Sequence, residues 1–99
     1  MDKLSIINTL KKHKNTLKQD FSITKIGLFG SYAKDTYSEK SDIDLVYELQ
    51  EGKTLGLKEV DELEIFIKNL FNIDKIDLIN HKYINPIIKN ELNKTVIYV

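Results

Sequence analysis

Two aspartates stand two residues apart in the run Ser41, Asp42, Ile43, Asp44, Leu45, and a third lies in Lys75, Ile76, Asp77, Leu78, Ile79. On an extended strand, side chains two apart project from one face, so Asp42 and Asp44 share a surface while Ile43 and Leu45 turn to the other. Asp77 is flanked by aliphatic residues in the same way. If the two strands are neighbours, three carboxylates converge. Two unit charges about 5 Å apart repel by roughly 3 kcal/mol at an effective dielectric near 20, so without a cation this arrangement weakens the fold. A bound Mg²⁺ reverses the sign, and two such ions can grip the attacking and leaving oxygens of an in-line phosphoryl displacement. Acids alternating with aliphatic residues also suit the wet side of a half-exposed strand, and Asp42 and Asp44 taken alone leave both readings open. Aspartate is depleted in strands, however, and a third one on a separate apolar run favours a site.

A second constellation is Leu28, Phe29, Gly30, Ser31, Tyr32, Ala33, an apolar run meeting glycine and serine before a short helical segment. Glycine lets the backbone approach a phosphate, and amides at a helix start together with the Ser31 hydroxyl can bind phosphate oxygens. A plain turn with Ser31 as its cap has the same residues. Lys34 follows and can offer a positive charge to phosphate, without the bidentate fork of arginine. Other polar and aromatic residues have simpler readings. His13 and His81 are expected in solvent, Lys11, Lys12, Lys14 and Lys18 on the wet side of a helix, and Tyr32, Tyr37 and Tyr47 in core or rim packing.

The elements that must position these groups follow from periodicity. Leu4, Ile7, Leu10 and Leu17 recur at helical spacing behind a capping Asp2, which predicts an amphipathic helix from about Lys3 to Lys18. Strands are predicted at Thr24–Phe29, Asp42–Leu49 and Lys75–Ile79, with a polar stretch holding a short helical turn at Tyr32–Ser41. After a loop at Gln50–Lys53, the residues Leu57, Val60, Leu63, Ile67 and Leu70 mark a second long helix closing near Asn72. Asn85 followed by Pro86 starts a last helix running to about Asn93, and Thr95–Val99 ends the chain as an edge strand. The expected fold is α/β (α+β): a small mixed sheet with helices packed on one face and the other face at least partly open, formed as one domain over residues 1–99.

The 99 residues, 41% hydrophobic and 30% charged, have no apolar run long enough to span a bilayer. The N-terminus lacks the pattern of a secretory signal, which predicts a cytoplasmic protein. There is no cysteine, so any metal must be a hard cation held by oxygen. Fifteen basic residues balance fifteen acidic ones, which speaks against nucleic acid as a direct partner.

Taken together, Gly30 and Ser31, then ten residues, then Asp42, Ile43 and Asp44 resemble the signature of the DNA-polymerase-β-like nucleotidyltransferase superfamily. The chain length, Asp77 and the closing helix and strand are similar to the minimal nucleotidyltransferases, whose members often act as antitoxins beside HEPN-domain toxins. The resemblance implies the palm-like nucleotidyltransferase fold, with Gly30 and Ser31, helped by Lys34, holding the triphosphate of ATP. It implies Asp42, Asp44 and Asp77 as ligands of two Mg²⁺ ions, with Asp77 also helping to activate the attacking hydroxyl. The activity implied is transfer of AMP to a hydroxyl, a tyrosine of a partner HEPN toxin above all. Two alternatives stand beside it: an antitoxin that neutralises by binding alone, and transfer to a small molecule or RNA. One departure is visible, because many members carry Arg and Gly where this chain has Lys34 and Asp35.

Overall fold

The computed structural model describes residues 1–38 and 40–99. Its first helix, α1 (Lys3–Lys12), starts where the Asp2 carboxylate accepts the Ser5 amide at 2.8 Å. The single helix expected to Lys18 is instead two, because His13 leaves helical geometry at φ −109° and ψ 14° and α2 (Lys14–Phe21) begins after it. The His13 ring supplies the physical reason. Its Nδ1 donates to the Thr9 carbonyl at 2.9 Å, and the ring lies edge-on to Phe66. His13 is therefore half-buried, not in solvent as its lysine-rich setting suggested. The break lets Ile6 and Leu10 from one helix and Leu17 and Phe21 from the other enter the same core.

Ser22, in the left-handed region at φ 58°, turns the chain into β1 (Ile23–Phe29). The short helix α3 (Gly30–Ala33) follows at once, beginning within the glycine-serine pair and so earlier than the segment read as polar. Glu39, inside that segment, lies outside the described residues. Next come β2 (Ile43–Leu49), α4 (Leu57–Phe71), β3 (Ile76–Asn80) and a 3₁₀ turn at His81–Tyr83. The last elements are α5 (Pro86–Thr95) and β4 (Ile97–Tyr98). The Asn85 side chain caps α5 by accepting the Ile88 amide at 2.9 Å, as the Asn-Pro pair predicts.

The sheet is mixed, in the order β3-β2-β1-β4. β1 runs antiparallel to β2 and to β4, whereas β2 and β3 are parallel, as the crossover through α4 requires. Ile26, Leu28, Ile43, Leu45 and Tyr47 line one face and form a single buried cluster with Leu63, Ile67 and Phe71 of α4 and the stripe of α1 and α2. By strand alternation Asp44 and Val46 point to the opposite face. That face is partly closed at one end. Val46 and Leu92 of α5 are buried outside the main cluster, and a Cβ on Gly27 would press against Val96 and Tyr98. Asp44 lies beyond this cover and is half-exposed. Among the described residues no helix is long and apolar enough to cross a membrane.

Candidate active site

The parallel register of β2 and β3 sets Asp44 directly beside Asp77, between the pairs Ile43 with Ile76 and Leu45 with Leu78. Neighbouring strands are about 5 Å apart, so the two carboxyls meet on the face away from the core. They interact directly. The Asp44 carboxyl is pushed up to about 6, first by burial, then by a hydrogen bond with Asp77, and then by the negative charges of Asp77 and Asp42. The rise above an ordinary aspartate shows how poorly this place tolerates a bare charge at Asp44. Asp42 is more exposed, just ahead of β2, and acts on Asp44 through charge alone.

Gly30 completes the approach from β1. Phe29 pairs with Asp44 across the antiparallel ladder, so the residue after it passes over that carboxylate. Gly30 has φ +74°, and a Cβ there would overlap Asp44 Oδ2. Both the conformation and the close contact exclude other residues. Ser31, half-exposed in the first turn of α3, is thereby held at the same end of the sheet as Asp44 and Asp77. Tyr32 turns into the core, where its ring stacks on Tyr37 with centroids 4.4 Å apart. Tyr47 is buried too, as expected of a packing residue.

Lys34 is exposed and ends α3, its amide bonded to the Gly30 carbonyl at 3.1 Å. Asp35 follows with φ 60°, a left-handed backbone that explains why glycine suits this position and that aspartate tolerates better than most residues. Its charge does not face the site unopposed, since Lys3 Nζ lies 2.8 Å from Asp35 Oδ2.

Two further cations were missed by motif reading. Lys75 immediately precedes Ile76 and stands opposite Asp42 by continuation of the register, and Lys40 is two residues before Asp42. Both line an open depression of about 540 Å³ together with Tyr32, Ser41, Asp42 and Asp74. The detectable signal was the equal offset of Lys75 and Asp77 from Asp42 and Asp44, legible only once β2 and β3 are known to be parallel neighbours.

The donor set fits a hard divalent cation. All candidate ligands are carboxylate oxygens, and the opposed charges that raise Asp44 are ones a cation would offset. Among the described residues no three His, Cys, Asp or Glu side chains form a ready-made cage. Mg²⁺ needs none, because it commonly binds through one or two carboxylates plus water and substrate phosphates.

Known proteins share the sequence and the fold of this chain. Residues 10–98 match the model of the nucleotidyltransferase domain family. A Methanocaldococcus jannaschii relative, provisionally named a protein adenylyltransferase, is 38% identical over 91% of this chain and 90% of its own length. The protein adenylyltransferase MntA of Thermococcus cleftensis is 32% identical over 95% of this chain and 92% of its own. Among solved structures, the chain is similar to one in a complex of a tri-AMPylated Shewanella oneidensis HEPN toxin with an MNT antitoxin. That match has a TM-score of 0.66 and 19% identity, covers 94% of this chain and 70% of that one, and is a likeness of fold. With a family match over nearly its full length, relatives sharing over 30% identity and two strand aspartates set side by side beneath a glycine-serine turn, this chain belongs to the nucleotidyltransferase domain family.

Proposed function

We propose that this chain, acting as one domain over residues 1–99, transfers AMP from ATP to a tyrosine hydroxyl of a HEPN-type toxin in a Mg²⁺-dependent reaction, and so serves as an antitoxin. The observation that carries the reading is the Asp44–Asp77 pair beneath Gly30, a place where two carboxylates are unstable without a cation. The names of the relatives, and the AMPylated toxin in complex with an antitoxin of similar fold, support the same acceptor class.

Asp42, Asp44 and Asp77 are the residues that would hold magnesium, which when bound neutralises the triphosphate and polarises its phosphorus–oxygen bonds. Gly30 and Ser31 seat the phosphates through close backbone approach and the serine hydroxyl, with Lys34 as an auxiliary charge. The acceptor hydroxyl oxygen bonds to the α-phosphorus as the bond to the β-phosphate oxygen breaks. Its proton passes to an Asp77 carboxylate oxygen and on to water, and pyrophosphate leaves. Asp77 suits this role because it is exposed on the edge strand and open to an incoming chain.

The test is to incubate the chain with isotopically labelled ATP, magnesium and a HEPN toxin and to measure intact masses. A toxin mass raised by one or more AMP, lost with Asp42→Asn and Asp44→Asn, is the expected result. A toxin neutralised without any mass change, and equally well by those variants, overturns the transfer reading in favour of inhibition by binding.

A further inference from the structure

The chain carries an exposed surface that the transfer chemistry does not use. Three of its well-exposed large apolar residues, Tyr83, Ile87 and Ile88, fall within six positions and are 73%, 80% and 44% exposed. The only buried residue of α5 is Leu92 in its second half, and every residue from Pro86 to Glu91 is exposed. Isolated helices shorter than about 12–15 residues are marginal in water, so the first turns of α5 rest on the Asn85 cap and Pro86 and lack a packing partner.

Charge says what kind of partner fits. Residues 81–90 contain His81, Lys82 and Lys89 and no acid, within a chain whose basic and acidic residues are equal in number. Lys82 Nζ reaches over the Tyr83 ring, 5.7 Å from its centroid. Glu91, the nearest acid along the helix, is engaged by Lys94 at 3.8 Å. Beside this patch Tyr83 also walls a cavity of about 300 Å³ with Leu49 at the end of β2 and Leu55 in the loop after it. Its acids are Glu48, which Lys25 reaches at 3.8 Å, and Glu51, set against Lys53 and Lys82 in the same lining.

We propose that Tyr83, Ile87 and Ile88, rimmed by Lys82 and Lys89, form the surface on which the acceptor protein docks, and that the acceptor presents an acidic amphipathic segment there. An apolar centre with a complementary charged rim is the anatomy of a protein interface, and the cavity beside Tyr83 suits an anchoring side chain. The inference rests on the reading above that the acceptor is a protein. The geometry joins the two regions: Asn80 stands three positions after Asp77 on β3, about 10 Å of strand, and leads straight into the patch. A domain-sized partner held at Tyr83 therefore reaches the carboxylates. An anionic membrane shares part of this chemistry, but surface-lying helices bury an apolar face along their whole length. Here the exposed isoleucines occupy only the first turn of α5, which favours a protein.

The experiment uses the full chain and two fluorescein-labelled helical peptides of about 18 residues, one with leucine on one face and glutamate on the other, its counterpart with lysine for glutamate. Fluorescence anisotropy should show the glutamate peptide binding at least about tenfold tighter than the lysine peptide. Ile87→Asp should weaken it by about tenfold or more, with Tm unchanged because the site is exposed. Leu57→Asp, at an equally exposed leucine on α4, should leave binding intact. Equal binding of the two peptides, or equal loss from Leu57→Asp, overturns the proposal. So does Ile87-dependent partition onto phosphatidylserine vesicles, or Ile87-dependent self-association in sedimentation, without binding of the glutamate peptide. Peptide binding needs no nucleotide. Binding intact with no AMP transfer to any acceptor therefore counts against the transfer reading alone, and transfer to a toxin undiminished by Ile87→Asp counts against the docking surface alone.

Discussion

At position 44 a carboxylate is held where burial and two neighbouring acids all favour its neutral form, and its titration is the most accessible signature of the site. The folded chain binds this proton more tightly than the unfolded chain, since the group sits at about 6 against an ordinary 3.8. The stabilisation is complete below about pH 4 and is lost as pH rises through 6. In metal-free buffer, stability should therefore fall between pH 4 and 7 by roughly 1–2 kcal/mol, a figure reduced for a half-exposed group. Thermal melts across that range check it, and magnesium with a non-hydrolysable ATP analogue should flatten the profile. Asp44→Asn removes one of the opposed charges, so it should raise metal-free Tm near neutral pH while lowering AMP transfer by about 10²-fold or more. Gly30→Ala should do harm on both counts. The added Cβ meets the Asp44 carboxylate in a left-handed backbone, which should cost about 1–3 kcal/mol by denaturant melts and abolish transfer. The glycine-serine pair and the aspartates were visible as letters. The overlap between Gly30 and Asp44 was not, because only the antiparallel pairing of Phe29 with Asp44 creates it.

Among the elements, those with chemical punctuation were readable and those set by packing were not. Asp2, Asn72 and the Asn85–Pro86 pair mark helix ends where the structure has them, each satisfying free backbone groups or adopting a backbone that few residues take. The break at His13 has no proline or glycine to announce it. It depends on a ring that bonds to Thr9 and packs on Phe66, some 50 residues further along the chain. His13→Ala should remove both contacts and cost about 1 kcal/mol, seen as a lower denaturant midpoint with an unchanged m value. Leu63 is different in scale. It is fully buried where α4 crosses from β2 to β3, so Leu63→Ala should cost about 2–5 kcal/mol. Because α4 determines that β3 lies parallel to β2, loosening it should also slacken the meeting of Asp44 and Asp77. Transfer measured below the melting temperature should fall more than the unfolded fraction explains.

For the molecule as a whole, a mixed four-stranded sheet with its main core on one side leaves one end of the opposite face to chemistry. Alternation within β2 divides the work, with Ile43, Leu45 and Tyr47 facing the core and Asp42 and Asp44 facing the site. The same division in β3 brings Asp77 beside Asp44 only in a parallel arrangement, a long-range relation that no local pattern encodes. The most direct measurement is a crystal structure of the chain with Mn²⁺ and a non-hydrolysable ATP analogue, located by anomalous scattering. The predicted result is metal density between the carboxylates of Asp44 and Asp77, bridged to the nucleotide phosphates beneath Gly30 and Ser31. Nucleotide bound elsewhere, with no metal between those two carboxyls, would contradict it.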